Sequence, residues 1–288
     1  MISAGRQWLQ RSGISYSSVA TLSQRWSDFA RFAKDNDVGS MERITKDLVQ
    51  SYADHLIDRG LSASSIQNRL SAINTVMSTA TKGAWQSLSP RSLGAPARSY
   101  VRQEAPKGLD RGLVEQATKG IDARAAAIVN LTRELGLRSK EATLINAKGA
   151  LKEALSKGEV RITEGTKGGR PRVVKITNDH QIAALEKAAA VQGKSGSLIP
   201  EGVSYKGFRS VIDHAREAIK ATTGQGLHAL RASFSCDFYK DYTGKDAPVV
   251  AGFRLVGKDL DREARQQIAQ ELGHGRTDVT VAYLGSAR

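Results

Sequence analysis

The stretch EVRITEGTKGGRPRVVKI, residues 159–176, is the one place where this chain's hydropathy pattern leaves the helix. Its arms, 160–163 and 172–176, are rich in β-branched residues, which crowd a helical turn but suit the pleat of a strand. The glycines between them give the backbone the freedom a tight turn needs, so the stretch predicts a β-hairpin with Lys167 at its tip. A lysine on a turn is, taken alone, most simply a solvated cation.

On either side of the hairpin the spacing is helical. Val19, Leu22, Trp26, Phe29 and Ala33 share one face. A helix over 46–59 sets Leu48, Tyr52 and Leu56 in register and stops at Gly60, and another opens at the serine cluster 62–65 with Ile66, Leu70, Ile73 and Met77 along one side. The opposite side carries Gln67, Asn68 and Arg69, amides and a cation suited to phosphates and base edges, although a solvated face has the same composition. Downstream, helices are expected near 110–119, 122–135, 139–156, 179–191, 204–221, 227–240, 259–272 and 277–284. The fold class is therefore mostly α with one small β-sheet.

Between Thr81 and Leu109 the periodicity fails. Pro90, Pro96 and Pro106 fall here, and Lys82, Arg91, Arg98, Arg102 and Lys107 face the single acid Glu104. This reads as a basic linker beginning near residue 82, dividing a first domain, 1–105, from a second, 106–288. Lys and Arg number 43 against 29 Asp and Glu, a net charge of +14. The excess is +5 in the first part (13 basic, 8 acidic) and +9 in the second (30 basic, 21 acidic), so both halves suit one polyanion. Apolar runs are far shorter than the ~20 residues a membrane helix needs. The lone Cys236 permits no internal disulfide, and no cluster of His, Cys and carboxylates has metal spacing. A cytoplasmic, nucleoid-associated protein without metal or cofactor is expected.

Four local patterns carry chemistry. In LGLRSKEAT, residues 135–143, Arg138 follows a tight turn and Glu141 lies one helical turn on, a pairing that also marks surface salt bridges. Lys167 follows Thr166 on the hairpin. GLHALRASFS, residues 226–235, sets His228 and Arg231 on one helical face. The last 18 residues, ELGHGRTDVTVAYLGSAR, place His274 nine positions before Tyr283. Each pattern is weak by itself; their order and spacing are specific.

In that order they resemble the tyrosine recombinase, or phage-type integrase, family, whose signature of arginine, hairpin lysine, H-x-x-R, L-G-H and nucleophilic tyrosine falls on Arg138, Lys167, His228, Arg231, His274 and Tyr283. The resemblance covers the second part and extends more loosely to the first, through SASSIQNRLSAINTV (62–76). It implies a two-domain, C-shaped clamp on double-stranded DNA, a homotetramer on two DNA sites, and accessory DNA-bending or directionality factors. Two departures stand out. Arg231 and His274 are 43 positions apart, so about 20 residues around 241–262 look inserted, and NAKGALKEALSKGEV (146–160) replaces a short passage into the sheet.

The chemistry follows from the residue types. Phosphodiester oxygens repel nucleophiles, and two guanidinium forks neutralise them and stabilise a pentacoordinate transition state. A free tyrosine hydroxyl ionises near pH ~10, so forming the phenolate at pH 7 costs ~4 kcal/mol, which surrounding cations lower. His228 is expected to accept that proton, Lys167 to protonate the departing 5′-oxygen, His274 to donate to a non-bridging oxygen, and Glu141 to support the Arg138 segment. Gln67, Asn68, Arg69, Arg98 and Arg102 are expected on the DNA. The expected function is a site-specific recombinase of a mobile element. The alternatives are a type IB topoisomerase-like relaxing enzyme and a non-cutting DNA-binding protein on the same fold.

Overall fold

The computed structural model describes residues 1–287. They form two compact units, Met1–Ser99 and Tyr100–Arg288. No helix among them is long and apolar enough to cross a membrane.

The first unit is built from four helices: α1 (Ile2–Arg11), α2 (Tyr16–Asp35), α3 (Lys46–Asp58) and α4 (Ala63–Ala80). Ser15, Thr45 and Ser62 each accept a hydrogen bond from a first-turn amide, capping α2, α3 and α4. Trp26, Phe29, Tyr52, Leu56, Ile66, Leu70 and Ile73 meet in one core, with Leu9 closing it from α1. Trp26 also fixes α1 in place: its ring lies where a Cβ on Gly5 would be, and its indole N–H donates to the Met1 carbonyl at 3.1 Å.

Residues 81–99 carry no helix or strand, yet they are not a free tether. Leu93 and Ala95 are buried in the same core. The Asn74 amide exchanges hydrogen bonds with the Leu88 main chain at 2.7 and 3.0 Å and accepts from the Trp85 indole at 3.1 Å. Gln67 donates to the Pro96 carbonyl at 2.7 Å, and Arg98 donates to Ser64 O and Asn68 Oδ1 at 3.1 Å. The polar face of α4 thus binds the segment that follows it.

The second unit contains α5 (Arg111–Thr118), α6 (Ala123–Glu134), α7 (Ser139–Leu144), α8 (Ala147–Lys157), strands β1 (Glu159–Ile162) and β2 (Arg172–Lys175), α9 (Asp179–Gln192), α10 (Arg209–Thr223), α11 (Leu227–Thr243), α12 (Pro248–Ala251), α13 (Lys258–Glu271) and α14 (Val281–Leu284). β1 and β2 pair antiparallel, Glu159 opposite Lys175 and Ile162 opposite Arg172. Alternation buries Val160, Ile162, Arg172 and Val174 against the helices and turns Arg161, Val173 and Lys175 outward. The predicted sheet is the observed one.

Three helical expectations need correction. The helix expected over 139–156 is two helices, because Ile145 and Asn146 are extended and the Asn146 side chain accepts from Gly149 N to start α8 afresh. The helix expected over 277–284 is a 3₁₀ turn, Asp278–Thr280, followed by the single turn α14. α10 starts only at Arg209.

The segment 244–257 after α11 is largely exposed but anchored, with Ala247 and Pro248 buried. It contains α12 and runs into α13, whose Asp261 accepts from the Tyr239 hydroxyl at 2.9 Å and pairs with Arg265 at 2.9 Å. Arg265, buried, also donates to the carbonyls of Gly285 and Ser286 at 3.3 and 3.2 Å, and Arg254 donates to that of Ala287 at 2.5 Å. Gly285, at φ +78°, lies so close to Val249 that a Cβ there would sit 2.9–3.1 Å from it. The residues that look inserted hold the backbone just past Tyr283.

Candidate active site

The site begins at the turn before α7. Gly136 has φ +61°, and a Cβ on it would run into the Phe234 ring at 2.5 Å, so only glycine lets the chain turn here against α11. The turn delivers Arg138 to the N-cap of α7. Its amide donates to Glu141 Oε2 and its Nη1 to Glu141 Oε1, both at 2.7 Å. Glu141 is wholly buried. Burial alone would raise its carboxyl pKa, but the charge of Arg172, then the main-chain hydrogen bond and charge of Arg138, outweigh it and hold the group below the usual range.

Arg231 comes up from α11 and is 1% exposed. Its Nη1 donates to Gly136 O at 2.6 Å and its Nη2 to Leu272 O at 3.2 Å, while Nη1 stands 3.6 Å from Glu141 Oε2. Arg138 Nη2 donates to the same Leu272 carbonyl at 3.2 Å. That carbonyl closes α13, where the helix end is negative and favours cations. Burial, outweighing everything else, pushes the Arg231 pKa down to about 10.

His274 follows on the turn after α13. Its Nε2 is 3.0 Å from the Tyr283 hydroxyl, and Tyr283 is 4% exposed. Burial, then the charges of Arg231 and Arg138, push the His274 pKa down to about 4, so the ring is neutral at pH 7. The Tyr283 ring also lies 5.5 Å from that of His228 and 5.9 Å from the Arg231 guanidinium carbon. His228 stands at the surface over packed protein; partial burial and the charges of Arg231, Arg102 and Arg138 lower its pKa too.

Arg138, Glu141, His228, Arg231, His274 and Tyr283 thus converge from three regions of the sequence, near 138–141, 228–231 and 274–283. Lys167 does not join them. It lies on the exposed 3₁₀ turn Lys167–Gly169 and makes no hydrogen bond or ion pair with the described residues. The base of that turn is nevertheless close: a Cβ on Gly165 would be 2.8 Å from the Lys140 carbonyl at the start of α7.

Beside the cluster opens a pocket of about 470 Å³, lined by Thr132, Arg138, Ser139, Arg216, Lys220, Gly226, Leu227, His228 and Arg231, with no carboxylate in its wall. Arg216 and Lys220 lie one helical turn apart on α10, and in the sequence an i,i+4 pair of cations on an amphipathic helix reads as a solvated face. Arg172 reads in the sequence as one basic strand residue among several. It is buried, its Nε donating to Glu271 O at 2.7 Å and its Nη1 lying 2.8 Å from Glu141 Oε1.

Of the residues expected on DNA, Gln67, Asn68 and Arg98 make the contacts with the 81–99 segment described above. Arg69 pairs with Asp28 at 3.2 Å. Arg102 is bound through Nε to Glu104 O at 2.8 Å and through Nη2 to Gln225 Oε1 at 3.2 Å, and its amide donates to Val281 O, in the first residue of α14, at 2.9 Å. Cys236 is buried beneath α14, and burial pushes its thiol pKa up to about 12, so it behaves as a packing residue. Among the described residues no group of three or more His, Cys, Asp or Glu is arranged to hold a metal ion.

Two family models match the chain. The integrase model covers residues 101–237, and the model of the phage integrase N-terminal SAM-like domain covers residues 7–84. Among solved structures, the fold is similar to a lambda integrase dimer bound to a COC′ core site, with TM-score 0.64, 16% identity, and 98% of this chain and 95% of that one covered. It is similar to Tn1549 transposon integrase in complex with transposon right end DNA, with TM-score 0.64 and 11% identity over 100% and 95% of the two chains. It is also similar to a lambda integrase tetramer bound to a Holliday junction, with TM-score 0.64 and 15% identity over 96% and 76%. At such identities the likeness is one of fold. No curated protein sequence matches the chain.

Proposed function

The chain belongs to the phage integrase family of tyrosine recombinases, and on that premise we propose that it is a site-specific DNA recombinase of a mobile element, acting through a 3′-phosphotyrosine intermediate. The observation that carries the reading is Tyr283: its hydroxyl meets the neutral His274 at 3.0 Å, in a wall shared with Arg231 and Arg138, beside a pocket lined with cations.

In this scheme the scissile phosphate enters the basic pocket. Arg138 and Arg231 exchange main-chain carbonyls for its non-bridging oxygens and stabilise the charge that builds up in the pentacoordinate transition state. The Tyr283 oxygen forms the new bond to phosphorus as the bond to the 5′-oxygen breaks. The phenolic proton goes to His274, which is hydrogen-bonded to it and neutral, rather than to His228, whose ring faces the tyrosine without that hydrogen bond. Lys167, brought in by its hairpin, gives a proton to the departing 5′-oxygen. Glu141 orients Arg138. Rejoining reverses these steps, with the phosphotyrosine ester conserving the bond energy.

Residues 1–105 and 106–288 form the two parts of a clamp on duplex DNA, and strand exchange takes place in a homotetramer on two sites, helped by accessory DNA-bending or directionality factors. Solved complexes of similar fold, including the tetramer on a Holliday junction, support this assembly.

The test is incubation with a supercoiled plasmid carrying the DNA that flanks the gene, quenched with detergent. The wild-type protein should yield a covalent protein–DNA adduct, and Tyr283→Phe should bind the DNA nearly normally and yield none. A phosphotyrosine peptide mapping to Tyr239 or Tyr242 would overturn the assignment. Broad relaxation of any plasmid by a monomer would point instead to a relaxing enzyme.

A further inference from the structure

Glu141 is a buried carboxylate in contact with three guanidinium groups. Arg138 Nη1 and Arg172 Nη1 meet Oε1 at 2.7 and 2.8 Å, and Arg231 Nη1 stands 3.6 Å from Oε2. Arg172 is the member of this set with no assigned part. It is 7% exposed, so it is no surface cation waiting for a phosphate. Its Nε is tied to the Glu271 carbonyl at 2.7 Å, and its stem fills the space beside Gly273, where a Cβ would sit 2.8 Å from Arg172 Cδ. Its Nη1 contact with Glu141 is ionic rather than an aligned hydrogen bond, and its Nη2 has no hydrogen-bond partner.

We propose that Arg172 is a positioning residue of this site: it neutralises Glu141 so that the charge of Arg138 stays available to the substrate, and it locks the Leu272–His274 turn to the hairpin strand. The inference rests on the recombinase reading. An isolated buried carboxylate binds its nearest cation strongly. With Arg172 absent, that cation is Arg138, which would be held on Glu141 instead of turning to a phosphate. The charge count agrees. Three guanidiniums, one carboxylate and neutral histidines give a net +2; without Arg172 the site holds +1. A phosphodiester carries one negative charge, and attack by a phenolate raises it to two in the pentacoordinate state while His274 takes up the phenolic proton; Arg172 keeps the site's positive charge in excess of that doubly negative centre rather than merely equal to it. The same side chain joins β2 to the turn carrying His274, so the hairpin of Lys167 and the partner of Tyr283 share one anchor.

The experiment is single-turnover adduct formation on the supercoiled plasmid described above, with wild type, Tyr283→Phe, Arg172→Met and Arg172→Lys. Arg172→Met should slow adduct formation by about 10- to 100-fold at unchanged DNA affinity, below the ~100- to 1,000-fold of a donor that touches the reacting oxygen. Arg172→Lys keeps the charge and should recover most of the rate, which a purely structural role would not allow. NMR titration of His274 should move upward in Arg172→Met and stay in place in Arg172→Lys. Arg172→Gln, which keeps a donor for the Glu271 carbonyl, replaces the methionine variant should that fail to fold. If the wild type forms the adduct and Arg172→Met forms it equally fast, or methionine and lysine are equally slow, this inference alone is overturned. If the wild type matches Tyr283→Phe in forming none, the recombinase reading falls and the inference falls with it.

Discussion

The two titratable groups flanking the Leu272–Gly273 turn are displaced in opposite directions, and that yields a pair of stability profiles with opposite slopes. Burial pushes the Glu271 carboxyl up from 4.5 to about 7, against the Lys175 amide that donates to its Oε2 at 3.1 Å. Burial and the neighbouring arginines push His274 down from 6.5 to about 4. The signs follow from proton uptake. Between pH 4.5 and 7 the folded chain keeps the Glu271 proton that the unfolded chain has lost, so this group makes stability fall as pH rises. Between pH 4 and 6.5 the unfolded chain takes up the His274 proton that the folded chain refuses, so this group makes stability rise with pH. Each pKa unit corresponds to ~1.4 kcal/mol, so Glu271 spans about 3 kcal/mol, and the less deeply buried His274 about 2 kcal/mol after allowing for solvent screening.

In the wild type the two slopes largely cancel between pH 4.5 and 6.5. Removing either group exposes the other. Glu271→Gln retains an oxygen for the Lys175 amide and should gain about 3 kcal/mol on the wild type between pH 4.5 and 8, with no gain below pH 4.5. His274→Asn should gain about 2 kcal/mol relative to the wild type as the pH is lowered from 7 to 4. Urea unfolding of the three proteins at half-unit pH steps measures both differences, and the contribution of every other titrating group drops out of the subtraction. A Glu271→Gln difference that is flat across this range would refute the reasoning, since it would mean the buried carboxyl ionises at its ordinary pH.

Three further outcomes are expected. Asp261→Asn removes one half of the buried pair with Arg265 and should cost roughly 3–5 kcal/mol of stability, with residues past Tyr283 becoming sensitive to carboxypeptidase while the rest of the fold persists. Lys167→Ala should slow cleavage of ordinary DNA and recover on a substrate with sulfur at the 5′-bridging position, whose thiolate leaves without a proton, whereas Arg138→Ala and Arg231→Ala should stay slow on both; equal rescue of all three in single-turnover assays would remove Lys167 from the role of acid. Duplex affinity should fall with salt by about 0.9 log units per log unit of salt for each phosphate neutralised, and a flat titration would dismiss the clamp.

The helices were legible because their apolar residues repeat at helical spacing, and the hairpin was legible because its arms break that spacing with β-branched residues around glycines. What escaped was decided by partners distant in the chain. The break at Ile145 and Asn146 lies inside a run whose apolar residues keep helical register, and only the asparagine hints that the chain restarts there. Residues 81–99 look like a tether because they lack periodicity, but their main-chain groups are bound by Asn74 and Gln67 on α4. Arg172 reads as a solvated strand residue like its neighbours Arg170 and Lys175. Its burial depends on Glu141 and on the carbonyl that ends α13, nearly a hundred residues away.

The site residues are legible for a different reason, one that does not extend to Arg172. Arg138 and His274 each follow a glycine turn, where backbone geometry leaves a local mark: Gly136 against Phe234, and Gly273 against the Arg172 stem; Arg231 lies inside α11 and is marked only by its spacing from His228. Arg172 is the group whose bulk requires the second of these glycines, yet nothing local marks it. Burying two guanidiniums, with a third at the edge, around a single carboxylate is unfavourable unless every charge is compensated, and here Arg231 Nε and Arg172 Nη2 are left without partners. Hydrophobic side chains of the same volume would make a more stable core at that position. An excess of positive charge, held rigid by carbonyls and pointed at one buried tyrosine, is the feature that packing alone does not account for, and it is what the proposed phosphotyrosine chemistry would require.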